Sequence, residues 1–441
     1  MRRAAAAAAA ALLIAASGCG GGDERERPRA PARANDAEAL LPRLGEPGLA
    51  VGLIESSGVL LRPPDGRSGP VAERWQRRVT DLRPKLLRLF VDWSVLQPDP
   101  GRPARLDQPV DGCARGAPPC LPWAGVRDQL RALAAQQRIG NGGVAMIAFY
   151  GVPAWAAAAR RGCEAEGAEP RSRPITDAGL AAYAELVERV ARLAEREGAD
   201  VRFWAPWNEP NGPWFISPQR RRCDAGSRSL APAVYARLAR TMRRVLERLG
   251  GDRRLVVGEL AGVARPTPRS TGVGEFLDAL PDDVACSAAV LSQHAYLRVG
   301  GGVSEGSPIP RSRREGRRAA GDPVAALLAA RDRRPCLRDV PVWITETGVG
   351  GVSGGERRDT SPQGLAAQCE AYDRRLREWA RDGRITAAFQ YSLREDPLFP
   401  VGLADAALTR TYPTYDLIRA WSRREDPTVL PPAGACGRAG R

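Results

Sequence analysis

The sequence predicts a single-domain α/β fold, a (β/α)8 TIM barrel with long loops after its strands. Three observations carry that prediction. Across most of the 441 residues, eight short apolar runs alternate with segments of helical period, the mark of parallel βα units. The long excursions follow strands rather than helices, as they do on the C-terminal rim of a barrel. Two of the apolar runs each deliver one glutamate just before a Pro or Gly break.

In order, the candidate strands are Leu49 to Ile54, Leu86 to Val91, Val144 to Phe149, Val201 to Trp207, Leu255 to Glu259, Ala288 to His294, Val340 to Thr345 and Ile385 to Tyr391. The helix after the third strand carries Leu180, Tyr183, Ala184, Val187, Val190, Ala191 and Ala194 on one stripe. Asp177 reads as its N-cap and Gly198 as its stop. The next helix repeats the pattern through Val234, Leu238, Met242, Val245 and Leu249, with Pro232 in its first turn and Gly250 after it. The barrel domain is expected over 46–425, and the tail at 426–441 is too short for a second domain.

The N-terminus is a targeting segment. Met1-Arg2-Arg3, an apolar run to Ala16 and a small-residue end at Cys19 form a secretory signal over 1–19. Ala16-Ser17-Gly18-Cys19 resembles a bacterial lipobox, which implies a lipid on Cys19 and a surface lipoprotein anchored to the membrane; ordinary cleavage would leave it secreted. Residues 20–45, rich in Gly, Arg, Pro and Glu, suit a flexible tether. No later apolar run is long enough to span a bilayer.

Nine cysteines less Cys19 leave an even set, which in an exported chain reads as disulfides. Loop positions suggest Cys113–Cys120, Cys163–Cys223, Cys286–Cys336 and Cys369–Cys436. No cysteine spacing is a zinc pattern and the chain has one histidine, which excludes a histidine-built metal site; no metal or organic cofactor is expected. The formal charge of +15 is almost all arginine, with Lys85 the only lysine. The runs at Arg220–Arg222 and Arg311–Arg318 lack interleaved aromatics, which argues against nucleic acid and leaves weak attraction to acidic envelope polymers. The chain is expected to act as a monomer.

The chemistry sits in Phe203-Trp204-Ala205-Pro206-Trp207-Asn208-Glu209-Pro210-Asn211 and in Val342-Trp343-Ile344-Thr345-Glu346-Thr347-Gly348. On a closed barrel the mouths of strands four and seven face each other, so Glu209 and Glu346 can meet at roughly 5 Å, the spacing of a retaining glycosidase. Glu259, at the end of strand five, reads as an ordinary solvated or salt-bridged carboxylate.

These two motifs resemble the strand-four and strand-seven signatures of glycoside hydrolase clan A, whose retaining barrels include cellulase-like family 5 and β-xylosidase-like family 39 types. The resemblance implies Glu209 as acid/base, Glu346 as nucleophile and Asn208 as a donor to the sugar 2-hydroxyl. Arg88 with Asp92-Trp93 is similar to the strand-two element, and Gly151-Val152-Pro153-Ala154-Trp155-Ala156 to the strand-three end with a sugar-facing Trp155. Gln293-His294-Ala295-Tyr296 resembles strand six, where His294 and Tyr296 approach the nucleophile. Tyr391 stands where many clan members carry a tryptophan under the sugar, and Trp93 is a further substrate contact on this reading. Implied is hydrolysis of oligo- or polysaccharides by double displacement. A non-catalytic glycan-binding envelope lipoprotein and a transglycosylase using the same residues are the alternatives.

Overall fold

The computed structural model describes residues 38–54, 69–107, 125–159, 161, 163, 169–297, 303–304, 321–351, 357–396 and 400–436. Eight parallel strands close into a barrel: β1 (Ala50–Ile54), β2 (Leu86–Asp92), β3 (Val144–Tyr150), β4 (Phe203–Ala205), β5 (Arg254–Leu260), β6 (Val290–Leu297), β7 (Val342–Val349) and β8 (Ile385–Tyr391). They run in the order β5-β4-β3-β2-β1-β8-β7-β6, and pairing of β5 with β6 closes the ring. A two-residue strand, Val303–Ser304, adds antiparallel to the end of β6. Around the barrel lie α1 (Gly69–Leu82), α2 (Val126–Arg138), α3 (Asp177–Glu197), α4 (Ala231–Leu249), α5 (Val273–Ala279), α6 (Pro323–Arg333), α7 (Pro362–Arg381) and α8 (Pro413–Ser422). The (β/α)8 barrel expected from the sequence is therefore present.

Strand alternation makes two apolar layers. Ala50, Ile54, Leu86, Phe90, Met146, Ala148, Phe203, Val256, Val290, Trp343 and Phe389 fill the barrel interior. Val51, Leu53, Leu87, Leu89, Ile147, Trp204 and Leu291 face outward against the helices, where Trp75, Tyr183, Tyr235, Tyr372 and Trp421 cover them. Parallel strands covered on both faces have to be apolar on both, which is why these segments read as continuous hydrophobic runs. The exception is a buried polar ring near the C-terminal ends of the strands, where the candidate site residues lie.

Several boundaries differ from the sequence reading, among them the ends of β6 and β7, which start and finish later than expected. The regular part of β4 is only Phe203–Ala205, because Pro206 has no N–H to donate to a ladder. The cap of α3 is Thr176, whose side chain accepts from the Gly179 N–H, rather than Asp177; Gly198 closes that helix in the left-handed conformation as expected. Packed chain also begins before residue 46: Glu38–Leu40 form a 3-10 turn, and Leu40 and Leu41 pack against the interior cluster. At the other end, Pro427 accepts the Leu49 N–H, so the tail lies against the start of β1.

Cys163–Cys223, Cys286–Cys336 and Cys369–Cys436 are bonded as expected. Cys113, Cys120 and Cys19 lie outside the described residues. Among the described residues no helix is long and apolar enough to cross a membrane. The Cys369–Cys436 bond ties the tail to α7 across 67 residues, so it restricts a large loop of the unfolded chain. Replacing both with serine should lower the unfolding free energy by about 2–4 kcal/mol in urea titrations of the oxidised protein; an unchanged midpoint would speak against a stabilising tail.

Candidate active site

Arg88 is the centre of the polar ring. Alternation on β2 turns Leu86 and Phe90 into the barrel, and Arg88 between them must follow. Its guanidinium is fully buried and lies over the Phe90 ring, 4.2 Å from the centroid. Nη1 donates to Glu346 Oε1 at 2.9 Å, Nη2 to Asn208 Oδ1 at 2.7 Å and Nε to Glu259 Oε2 at 3.0 Å. Nη2 also donates to Glu259 Oε2. One planar fork thus sets the positions of side chains from three other strands. The charges of Glu259 and Glu346 outweigh the effect of burial and hold the guanidinium above its ordinary value.

Two of those carboxylates point inward because their strands bulge. In β7, Gln293 pairs with Ile344 but His294 pairs with Glu346, so one extra residue is inserted. Strict alternation from the inward Trp343 would send Glu346 outward; the insertion turns it in. In β5, Val257 pairs with Leu291 and Leu260 with Gln293, again one residue extra. There Gly258 adopts φ 122° and Glu259 φ 55°. A side chain at Gly258 would stand 2.3 Å from the Ser292 carbonyl, so only glycine fits this bend. Glu209 also has positive φ, 40°, and its N–H donates to the Glu259 carbonyl at 2.8 Å.

The third strand mouth is β6. His294 and Tyr296, two residues apart, face the same way, as the period of a strand requires. His294 Nδ1 is 2.8 Å from Glu209 Oε1 and 3.4 Å from Glu346 Oε2, while Nε2 is 3.7 Å from Glu259 Oε2. Tyr296 donates its hydroxyl to Glu346 Oε2 at 2.5 Å. Burial alone pushes the imidazole down, but Glu346, Glu209 and Glu259 outweigh it and push His294 up to about 9. Burial pushes Glu259 up, and the Arg88 charge, with His294 adding, brings it down to about 2. Burial and the neighbouring Glu346 push the Tyr296 hydroxyl well above its usual range, which keeps it a proton donor.

Glu209, His294 and Glu346 offer donor atoms within 4.8 Å of one another. A cation among them would meet the Arg88 guanidinium and displace the proton from a raised histidine, so the set suits proton chemistry better than metal ligation. The glutamates differ in access: 24% of the Glu209 side chain is exposed against 8% of Glu346.

The structure brings Arg88, Asn208, Glu209, His294, Tyr296 and Glu346 together. Tyr391 stands edge-on to Tyr296, 6.1 Å between ring centroids, half-buried at the same mouth. Trp93 does not join them. It is fully buried, edge-on to Trp155, with its indole N–H on Gln97, so this ring serves the core rather than a sugar contact. Trp155 is half-buried and donates to the Gln97 carbonyl. Trp214, on the loop after β4, is 72% exposed. Residues not singled out from the sequence are Arg171, which ion-pairs with Asp92 at 2.9 Å, and Tyr150, whose ring the Arg171 guanidinium covers. A rim arginine within a Pro/Arg-rich loop gives no sequence signal of that pairing.

No protein-family model and no curated protein matches the sequence. Solved structures do match. A GH5-4 broad specificity endoglucanase from an uncultured bacterium aligns with TM-score 0.50 and 15% identity, over 87% of this chain and 93% of its own. SrfJ from Salmonella typhimurium aligns with TM-score 0.53 and 12% identity, over 89% and 79%. A glycoside hydrolase family 30 subfamily 8 xylanase from Clostridium acetobutylicum aligns with TM-score 0.47 and 13% identity, over 86% and 73%. The chain has the barrel fold of glycoside hydrolases. At these identities the likeness concerns the fold.

The two shifted groups give opposite pH limbs. The stabilising contribution of His294 is full below its unfolded value of 6.5 and is lost as pH rises through about 9. That of Glu259 is full above 4.5 and is lost as pH falls toward about 2. Urea midpoints measured from pH 6 to 10 should show the advantage of the parent over His294→Gln shrinking with rising pH; a constant difference would contradict the charged imidazole.

Proposed function

We propose that the protein is a retaining glycoside hydrolase acting on O-glycosidic bonds of oligo- or polysaccharides. One observation carries the reading: carboxylate oxygens of Glu209 and Glu346, from opposite strand mouths, lie within 4.8 Å of each other. Retaining enzymes hold their carboxyl pair at roughly 5 Å, whereas an inverting pair needs room for a water between them. The barrel shared with an endoglucanase agrees with this reading.

Each group has a part in the proposed double displacement. Glu346, held by Arg88 and Tyr296, attacks the anomeric carbon while Glu209, the more exposed carboxyl, gives its proton to the departing oxygen. The product of that step is a glycosyl ester on Glu346. Glu209 then takes a proton from water, which attacks the same carbon and releases the sugar with its original configuration. Because Asn208 turns its amide oxygen to Arg88, its NH₂ group is left to donate to the sugar 2-hydroxyl. Tyr391, and Trp214 further out, are the aromatic faces available for stacking on sugar rings. Export and a lipid at Cys19 would put this activity at the cell surface.

Removing the acid/base tests the assignment. Glu209→Ala should lower kcat/KM on a glycoside with a poor leaving group by about 10²- to 10⁴-fold. With an activated aryl glycoside, added azide should restore turnover and give a glycosyl azide of the substrate's own anomeric configuration. An inverted azide, or undiminished activity, would contradict the reading.

A further inference from the structure

Glu259 lies beneath the two proposed catalytic carboxyls and cannot touch a substrate, yet it meets Arg88, His294 and the backbone of Glu209. Its side chain is fully buried. Oε2 takes Nε and Nη2 of Arg88 and stands 3.7 Å from His294 Nε2. Its carbonyl accepts the N–H of Glu209, and its own N–H goes to Ser292 Oγ at 2.7 Å. Nothing in ordinary strand geometry would point this side chain inward; the Gly258 bend and the bulge do so. A strand bent to bury a carboxylate needs a reason.

Charge supplies one. Arg88 and a protonated His294 are two cations behind Glu209 and Glu346. Glu259 neutralises one of them from the far side. The groups that face the imidazole are Glu209 from β4, Glu259 from β5 and Glu346 from β7, with Arg88 and Tyr296 reaching it only through Glu346 and Glu259. On its Nε2 side, Glu259 is the one carboxylate paired with the imidazole among the described residues. Removal of that charge would leave Arg88 with Glu346 as its one ionic partner and would leave Nε2 without a counter-charge.

We propose that Glu259 is a positioning residue: its buried carboxylate fixes the Arg88 fork on Glu346 and Asn208, and holds the proton on the Nε2 side of His294. It thereby keeps Glu346 oriented without leaving the full guanidinium charge on it, and keeps Nδ1–H directed at Glu209. The kinetic consequence rests on the glycosidase reading; the effect on His294 does not.

His294 is the only histidine in the chain, so a ¹³C,¹⁵N-histidine-labelled full-length protein gives one imidazole titration with no assignment step. Glu259→Gln keeps the shape and, with its amide oxygen turned to Arg88, an acceptor in the place of Oε2, but removes the negative charge 3.7 Å from Nε2. Its His294 midpoint should fall by about one pH unit or more. On an aryl glycoside kcat should fall roughly 10- to 100-fold with KM little changed, since a displaced nucleophile and not a lost sugar contact is responsible. Glu259→Asp keeps the charge but withdraws it from the fork: the midpoint should stay close to the parent's while kcat falls. A folded Glu259→Gln with an unmoved midpoint, or with kcat within twofold of the parent, overturns the proposal. Should Glu259→Gln fail to fold, a Glu259→Asp variant with full kcat overturns it instead. If the parent turns over no glycoside, the proposed function fails, and the histidine midpoint alone decides the role of Glu259.

Discussion

A guanidinium buried to zero exposure in the middle of a barrel constrains everything near it. Breaking such a buried pair by removing one partner costs on the order of 3–5 kcal/mol, so every acceptor of Arg88 is fixed in number and direction. The planar fork calls for oxygens on two edges, and β4, β5 and β7 each contribute one residue: Asn208, Glu259 and Glu346. Their strands meet at the positions the fork allows. The polar ring is in this sense built outward from β2, and the strand mouths adapt to it.

That adaptation is visible in the backbone. Glu209 and Glu259 have φ of 40° and 55°, a region that costs a residue with a side chain on the order of 1–3 kcal/mol and persists only where surroundings determine it. One hydrogen bond, from the Glu209 N–H to the Glu259 carbonyl, joins these two positions. The loop after β4 is braced from outside: Asn211 bonds the Ala261 N–H and the carbonyls of Ala261 and Thr271, Gln219 donates to Pro210, Gly212 and Ile216, and buried Arg220 pairs with Glu275. Cys163–Cys223 ties it to the loop after β3. Glu209 therefore sits on a braced support although it lies in the loop beyond a three-residue strand.

Much of this was legible from residue order. Eight apolar runs are enough to call a barrel, because strands buried on both faces leave a continuous hydrophobic signature. His294 and Tyr296 were placed on one face by the two-residue period, and Glu209 and Glu346 by their position before a Pro or Gly break. What escaped the sequence escaped for physical reasons. A bulge shifts the face that every later residue presents, so the inward turn of Glu259 cannot be read from alternation, and from the sequence it reads as an ordinary solvated or salt-bridged side chain. Type and position alone make Trp93 a candidate sugar contact and say nothing about exposure; its ring lies in the core against Trp155 and Tyr183.

A barrel hosts many chemistries, so the shared fold sets the place of the site and the side chains set the reaction. In the proposed mechanism Glu346 becomes covalently attached to a sugar while Glu209 manages the proton. Reaction with a 2-deoxy-2-fluoro glycoside carrying an activated leaving group, followed by mass spectrometry of the peptides, addresses it directly. One sugar per chain, on Glu346, is expected. A sugar on Glu209 or Glu259, or none at all with a glycoside the protein hydrolyses, would contradict it.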